Sequence, residues 1–190
     1  MNKRFLILLA AVGSLAWTAT AQDTNYLKTK LGVFEARWSV VLVKGFGPVG
    51  SIAAGPADIS VRCKETTDIG TGQKIYGLTV GLAGNPLFRE RILIDDDEVD
   101  SLLAAINYIV KSNYEVADNK VTTLPSFEAS YTTKAGLRVL ALSVRRDGGI
   151  QLFLQYGDDP RISLSSVQMT QLYGLIEQAR KNLDALKAGK

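Results

Sequence analysis

Histidine is absent from this chain of 190 residues, and cysteine occurs once, at Cys63. Without histidine the chain lacks the commonest general base and the commonest side-chain ligand of zinc and copper. A serine or cysteine hydrolase that uses histidine as its base is therefore excluded. Because one cysteine cannot form an intramolecular disulfide, the fold must be held by a packed core. We predict no catalytic residue, no cofactor and no metal site, and hence a protein that is not an enzyme.

Long apolar runs are also lacking, since none approaches the roughly 20 residues that span a bilayer. The longest run, at residues 5–12, follows Lys3 and Arg4 and precedes the small residues at 19–21. This order is typical of a secretory signal peptide. We therefore predict a cleaved signal peptide over residues 1–21 and a mature chain that works in the periplasm or is secreted.

Excess charge of one sign is the third absence. The chain has 22 basic and 19 acidic side chains, and removal of Lys3 and Arg4 leaves 20 against 19, a formal charge of about +1. Proteins held on nucleic acid neutralise phosphates with clustered lysine and arginine. The charge balance thus argues against a nucleic-acid partner, and it offers no polybasic segment for an anionic membrane.

The mature sequence contains two similar halves. Each opens on a Phe-Glu-Ala sequence, at residues 34–36 and at residues 127–129. Each closes with a segment in which alternating apolar residues run into a helical pattern, and the two closing segments align at an offset of 70 positions. In each closing segment a polar residue is followed three positions later by Glu or Gln, which predicts a helix capping box. These pairs are Asp95 with Glu98 and Ser165 with Gln168.

Apolar alternation and turn residues predict four strands and one helix in each half. The predicted strands lie at 33–43, 57–66, 73–82, 87–94, 126–133, 136–146, 149–157 and 160–164, and the predicted helices at 96–112 and 166–187. The fold class is therefore α+β, with two ββββα repeats in which an antiparallel sheet is followed by a capped helix. The repeats occupy residues 22–112 and 124–190, joined by a linker at 113–123, and they form two units or one pseudo-symmetric domain. Within the second strand, Cys63 shares a face with Ile59 and Val61, which predicts a buried structural cysteine.

This duplicated ββββα order resembles the plant Whirly proteins and the transcriptional coactivators that bind single-stranded DNA. The local similarity is carried by residues 161–172, Arg-Ile-Ser-Leu-Ser-Ser-Val-Gln-Met-Thr-Gln-Leu, where a short strand runs into a glutamine-bearing helix. The resemblance implies the fold over most of the mature chain. Whirly proteins carry a lysine-rich strand motif at their DNA-binding surface, which has no counterpart here before either helix. We therefore do not carry DNA binding across with the fold.

Three sequence features suggest sites, and each has a simpler structural interpretation. The glycine-rich stretch 45–50 matches a dinucleotide-binding pattern, but Gly55-Pro56 leaves no room for the helix that such a site requires. We expect residues 45–55 to form a mobile loop. The acidic stretch 95–100 supplies oxygen ligands suited to calcium, but acids at a helix N-terminus also complement the helix dipole. Neighbouring arginines offer a patch for an anionic partner, although adjacent strand residues face opposite sides.

We therefore expect a protein or small ligand to bind at the sheet face or at the 45–55 loop. The candidate binding residues are Lys44, Phe46, Arg89, Arg91 and Arg145. The alternative is single-stranded nucleic-acid binding on a Whirly-like sheet. The sequence leaves open the identity of the partner and the oligomeric state, because unpaired edge strands are compatible with association.

Overall fold

A computed structural model describes residues 25–55, 57–83, 92–115, 126–144 and 149–189. Within these ranges the helices are α1 (Lys30–Glu35), α2 (Val99–Glu115) and α3 (Ser166–Lys187), and short 3-10 turns lie at Tyr26–Lys28 and Asp96–Glu98. The strands are β1 (Leu42–Ala54), β2 (Ala57–Asp68), β3 (Lys74–Ala83), β4 (Ile92–Asp95), β5 (Ser126–Thr132), β6 (Leu137–Val144), β7 (Gly149–Tyr156) and β8 (Ile162–Leu164).

The strands form two antiparallel sheets in simple sequential order. Sheet A has the order β1-β2-β3-β4 and is followed by α2, and sheet B has the order β5-β6-β7-β8 and is followed by α3. The predicted α+β class with two ββββα units is confirmed. The offset of 70 residues also has a structural basis: Ile94 pairs with Leu78 at the edge of sheet A, and Leu164 pairs with Leu152 in sheet B.

Each sheet has an inner face that packs on the long helices and an outer face that points away from them. On β2 the alternating residues Ile59, Val61 and Cys63 are buried on the inner face, in the core cluster that runs through both halves. The Cys63 thiol donates a hydrogen bond to the carbonyl oxygen of Ala179 at 3.4 Å. Burial raises the pKa of this thiol, as it disfavours the charged form. The prediction of a buried cysteine beside Ile59 and Val61 is confirmed.

The long helices are exchanged between the two halves. Helix α3 follows sheet B but packs on β1 and β2 of sheet A, whereas α2 follows sheet A and packs on β5 and β6. One such contact places Leu175 of α3 against Gly50, where an added Cβ would lie 2.6 Å from the leucine Cδ2. Since α2 and α3 also pack on each other, both repeats share one core.

The two predicted capping boxes have different outcomes. At α3 the Ser165 hydroxyl accepts a hydrogen bond from the backbone N–H of Gln168, and the Gln168 side chain accepts one from the Ser165 N–H, which confirms the box. The box predicted at Asp95 and Glu98 is wrong, because the Asp95 side chain does not cap the turn that follows it. Its carboxylate accepts instead from the backbone N–H groups of Lys30 and Leu31, at 2.8 and 3.0 Å. Asp95 thus stabilises the start of α1.

The strand predicted at 33–43 is wrong over most of its length. Thr29 caps α1 by accepting a hydrogen bond from Gly32 N–H, and Leu31 and Phe34 are buried together on one side of the helix. The alternation that suggested a strand is therefore part of a helix followed by an irregular segment. The two Phe-Glu-Ala sequences do not correspond either, because the first ends α1 and the second lies in β5.

The mobile loop predicted at residues 45–55 is also wrong. Residues 42–54 form β1, which pairs with β2 along its length and carries a single irregularity between Pro48 and Gly50. The strand lies at the edge of sheet A and pairs with β2 alone, and its Gly50 accommodates Leu175 of α3. Gly55 lies in the turn into β2 and has a positive φ of 63°.

Candidate interaction surface

A cluster of exposed apolar side chains lies at one end of sheet A. It consists of Trp38, Val40, Val41 and Ile69, and we call it the tip patch. The exposed fractions are 91% for Trp38, 70% for Val41, 57% for Ile69 and 40% for Val40. Tryptophan side chains are highly buried on average, so an indole that is nine-tenths exposed is unusual. Clustered exposed apolar residues of this kind mark interaction sites.

The tip patch is held in place from both sides. The carbonyl oxygen of Val41 accepts a hydrogen bond from Ile69 N–H at 3.0 Å, which fixes the β2–β3 turn beside the start of β1. On the other side the Arg37 guanidinium bonds Asp68 at 3.4 Å and Gln73 at 3.2 Å. It also lies 4.2 Å from the centre of the Phe34 ring. The indole is therefore exposed on an anchored segment.

The backbone of this segment includes one residue in an uncommon conformation. Ser39 has φ 58°, the one positive φ of a non-glycine residue in the described ranges. Residues other than glycine adopt this region at a cost, and such residues cluster at functional sites. The turn at Ser39 directs the chain from the end of α1 into β1, and Trp38 remains outside the core. The backbone conformation of Ser39 is thus a second feature of the tip patch, independent of the exposure of Trp38.

A buried ionic cluster lies beside the tip patch, under α1 on the outer face of sheet A. The Glu35 carboxylate, with 2% of its side chain exposed, accepts hydrogen bonds or ion pairs from four donors. These donors are Tyr26 Oη at 2.7 Å, Lys44 Nζ at 2.8 Å, Lys64 Nζ at 2.7 Å and Thr66 Oγ1 at 2.6 Å. Burial alone would raise the Glu35 pKa, but the four donors outweigh it and lower the pKa to about 2. The same burial, with the Glu35 charge, raises the pKa of Tyr26.

Two of the predicted binding residues, Lys44 and Phe46, lie on the outer face of β1 next to this cluster. Phe46 is 39% exposed, and Lys64 Nζ lies 5.3 Å from its ring centre. The other predicted binding residues are Arg89, Arg91 and Arg145, and they lie outside the described residues. The structure thus brings Lys44 and Phe46 together, while the tip patch was missed by the sequence analysis.

The acidic stretch 95–100 joins three parts of the fold through ion pairs. Asp97 pairs with Lys30 of α1 at 2.9 Å and with Lys134 of the β5–β6 turn at 3.3 Å. These lysines lower the pKa of Asp97. From α3, Arg180 bonds Asp96 at 3.0 Å and Asp100 at 3.2 Å. In the part of the chain that the structure describes, no group of three metal-ligating side chains is placed to hold an ion.

Two small concave sites lie beside α1: a charged cleft, and a more apolar hollow of about 280 Å³ lined by Val33, Phe34 and Arg37 among others. A cleft of about 230 Å³ is lined by Lys30, Lys74, Ile75, Tyr76 and residues 95–97. Its lysines and carboxylates already pair with each other or with neighbours, as Lys30 does with Asp97 and Lys74 with Glu65. Small-ligand sites are typically larger and mostly apolar. The arrangement therefore favours a structural role for these charges.

The outer face of sheet B carries Leu140, which is fully buried and pairs with Phe153. Phe153 lies there, with the Arg161 guanidinium 5.9 Å from its ring centre. Arg138 pairs with Glu128 at 2.8 Å across the neighbouring strands. On sheet A the covering helix needs Gly77, because a Cβ there would overlap Leu31.

The fold and these surfaces define an α+β protein of two sheet–helix units with an exposed apolar end. Comparison with protein-family models, curated proteins and solved structures finds no significant match for the chain. The resemblance to Whirly proteins therefore stays a prediction. None of the helices in the described ranges combines the length and apolar character of a membrane span.

Proposed function

We propose that this chain is an exported binding protein without enzymatic activity, and that it holds a protein partner at the tip patch. The observation that supports this most strongly is the 91% exposed side chain of Trp38 on an anchored segment. Tryptophan and arginine are enriched among the residues that dominate binding energy at protein interfaces. The tip patch contains the tryptophan Trp38, and the arginine Arg37 lies beside it.

The shape of the surface favours a protein partner over a small ligand. Trp38 and Val41 project from the end of the sheet, whereas small molecules bind in concave, mostly apolar sites. Burial of one large apolar side chain contributes about 1.5–3 kcal/mol. Several such side chains, with a rim formed by Arg37, Gln73 and Thr71, match the apolar centre and polar rim of a protein interface.

Site-specific photo-crosslinking in the native host tests this proposal. Benzoylphenylalanine placed at Trp38 is expected to yield one discrete protein adduct after irradiation. The matched control is Val167, which is 67% exposed at the start of α3 and lies outside the tip patch. With the adducted protein purified, Trp38→Ser should weaken binding about 30-fold, the loss of a typical central interface residue. Equal labelling from both positions, or adducts with lipid alone, would refute the proposal.

Export is the second part of the proposal, and residues 1–21 support it through their charged, apolar and small-residue order. Fractionation of cells that produce the full chain, followed by intact-mass measurement, tests it directly. The expected result is an extracytoplasmic protein whose mass lacks residues 1–21. A cytoplasmic protein of full length would contradict it.

Single-stranded nucleic-acid binding is a second candidate, favoured by the outer face of sheet B, where Arg161 lies against Phe153. Aromatic side chains provide stacking platforms for bases, and such binding weakens steeply with salt. Fluorescence polarisation of labelled single-stranded DNA, at low and moderate salt, tests this candidate. Binding that Phe153→Ala abolishes would support it, and no binding at low salt would eliminate it.

A further inference from the structure

The two halves of strand β1 have different surroundings. Its C-terminal half is covered by α3: Ile52 and Ala54 are buried, and the Gln168 side chain donates to the Ala53 carbonyl at 2.8 Å. Its N-terminal half, residues 42–48, is at the free edge of sheet A, and we call it the edge segment. Val43 on its inner face is 53% exposed and Phe46 on its outer face 39%. The edge segment is therefore accessible on both faces and along its backbone.

Packing against the described residues does not explain the glycines of the edge segment. A Cβ at Gly45 would lie 3.9 Å from the Glu65 carbonyl oxygen, and one at Gly47 would lie 3.8 Å from the Cys63 Cβ, both ordinary contacts. By contrast, Gly50 lies directly under Leu175. Glycine inside a strand costs about 0.5–1 kcal/mol relative to alanine. It often marks a place where another backbone approaches closely.

We infer that the edge segment pairs with the edge segment of a second copy of this chain, antiparallel and with the twofold axis at Gly45. This register follows from the side chains. It places Val43 opposite Gly47 of the second copy on the inner face, so a branched side chain lies beside an empty position. On the outer face it places Lys44 opposite Phe46 of the second copy, a favourable cation–aromatic pair. No like charges are opposed.

The same strand limits the association to two copies. The ladder of β1 is interrupted between Pro48 and Gly50, and proline has no N–H to donate, so pairing ends there. Because both copies use the same segment, the contact is isologous and closed. The mature charge of about +1 per chain gives little repulsion between copies. The inference goes beyond the proposed function, since the tip patch is not among the paired residues.

Disulfide trapping tests the register. In an antiparallel pair, directly opposed residues have Cα atoms about 4.5–5.5 Å apart, which suits a disulfide. Gly45→Cys should therefore form a covalent dimer readily in oxidised glutathione. The native Cys63 does not compete in this reaction because it is buried. The matched control is Val43→Cys, which lies on the same face of the strand. In this register the two cysteines at position 43 of the dimer would be offset by four residues along the strands, about 13 Å, too far for a disulfide. Equal trapping of the two variants would overturn the register.

Substitutions at Phe46 test the same contact without a covalent bond. The dimer contains two pairs in which residue 46 of one copy lies opposite Lys44 of the other. Phe46→Glu places a carboxylate in each pair, and Phe46→Lys places an ammonium in each. Sedimentation equilibrium should show the dimer about tenfold tighter for Phe46→Glu and about tenfold weaker for Phe46→Lys than for the unaltered mature protein. Circular dichroism establishes that each variant is folded.

Two results would overturn the inference: an unaltered protein that is monomeric at every accessible concentration, or Phe46 variants that change the dimer in the same direction. Trp38→Ser separates this result from the proposed function. It should leave the dimer intact while weakening partner binding. A monomer that still yields the Trp38 crosslink would end the inference and leave the proposed function standing.

Discussion

Glu98 and Gln168 occupy equivalent positions in the two repeats, and each joins the start of its long helix to the first hairpin of the other sheet. Glu98 Oε1 accepts from Lys134 N–H in the β5–β6 turn at 2.7 Å, and Gln168 Nε2 donates to the Ala53 carbonyl before the β1–β2 turn at 2.8 Å. The two side chains differ in their remaining atoms. Gln168 uses its oxygen in the capping box, whereas Glu98 Oε2 is buried with no hydrogen-bond partner among the described residues.

Glu98→Gln is expected to raise the free energy of unfolding at neutral pH by about 1 kcal/mol, because it removes a buried charge and keeps the bond from Lys134. Burial raises the pKa of Glu98 in the folded protein. Ionisation of Glu98 therefore lowers the free energy of unfolding once the pH exceeds the pKa that this residue has in the unfolded chain. The gain should shrink as the pH falls below that value, where both states are protonated. Urea unfolding at a series of pH values measures it. The matched variant Gln168→Glu should destabilise, and a pH-independent gain would contradict the explanation.

Acid unfolding should follow the protonation of Glu35. Its pKa is lowered from 4.5 to about 2, so its contribution is complete above pH 4.5 and is lost as the pH falls to about 2. A shift of this size corresponds to a contribution on the order of 3 kcal/mol. Glu35→Gln should lose a similar amount at neutral pH, because Lys64 stays buried without its counter-charge. Glu128→Gln, which breaks the more exposed pair with Arg138, should change stability by less than about 1 kcal/mol, and equal losses would argue against this assignment.

Asp95→Asn should loosen α1 while the rest of the fold persists. The buried Asp95 carboxylate accepts from both Lys30 and Leu31 N–H groups, and an amide offers one oxygen in place of two. We expect a loss of about 1 kcal/mol, typical of a helix N-terminal contact. Hydrogen exchange should accelerate in residues 30–35 and stay unchanged in α3. Uniform acceleration in both helices would contradict a local role.

Gly77→Ala and Gly45→Ala form a matched pair within sheet A. A Cβ at Gly77 would overlap the Ile94 carbonyl oxygen and Leu31 Cδ1, whereas at Gly45 the nearest neighbour is 3.9 Å away. Gly77→Ala should destabilise by about 1–3 kcal/mol through overpacking. Gly45→Ala should be neutral or stabilising by about 0.5 kcal/mol, since alanine restricts the unfolded chain. Thermal unfolding of dilute protein measures both, and similar values would refute the packing difference.

The helix exchange predicts that neither repeat folds alone. A fragment of residues 25–115 lacks α3, which covers the inner face of sheet A, and a fragment of residues 126–189 lacks α2. Each fragment should show no cooperative thermal unfolding, and an equimolar mixture should recover it. Cooperative unfolding of either fragment by itself would show that the repeats are independent.

The elements that the sequence predicted well are those in which local and tertiary signals agree. Helix α3 was predicted at its observed bounds because Ser165 and Gln168 mark its start and apolar residues recur along it. The Phe34 region was misassigned because Phe34, Ala36 and Trp38 alternate like a strand. A helix signal was present there, in the Thr29 cap and in the three-residue spacing of Leu31 and Phe34.

The site was less predictable than the fold because exposure depends on the arrangement of distant elements. Lys44 and Phe46 were named from the sequence, but their proximity to Glu35 arises only when α1 packs on the outer face of sheet A. The strand predicted at 33–43 would place Trp38 on the same face as Phe34, whereas its exposure depends on the turn at Ser39 and on the contact between Val41 and Ile69. No local pattern encodes that contact.

The exchange of helices also sets the order in which the protein can be completed during synthesis. Sheet A is made early, yet Leu175 and Ala179, which cover it, are synthesised only after all the strands of sheet B. Contacts so distant in sequence form slowly, since a long loop must close before they stabilise the chain. The core of sheet A is therefore completed only when α3 has been synthesised. A core that is completed late leaves more of the nascent chain unfolded during synthesis, and this property suits the export that we propose.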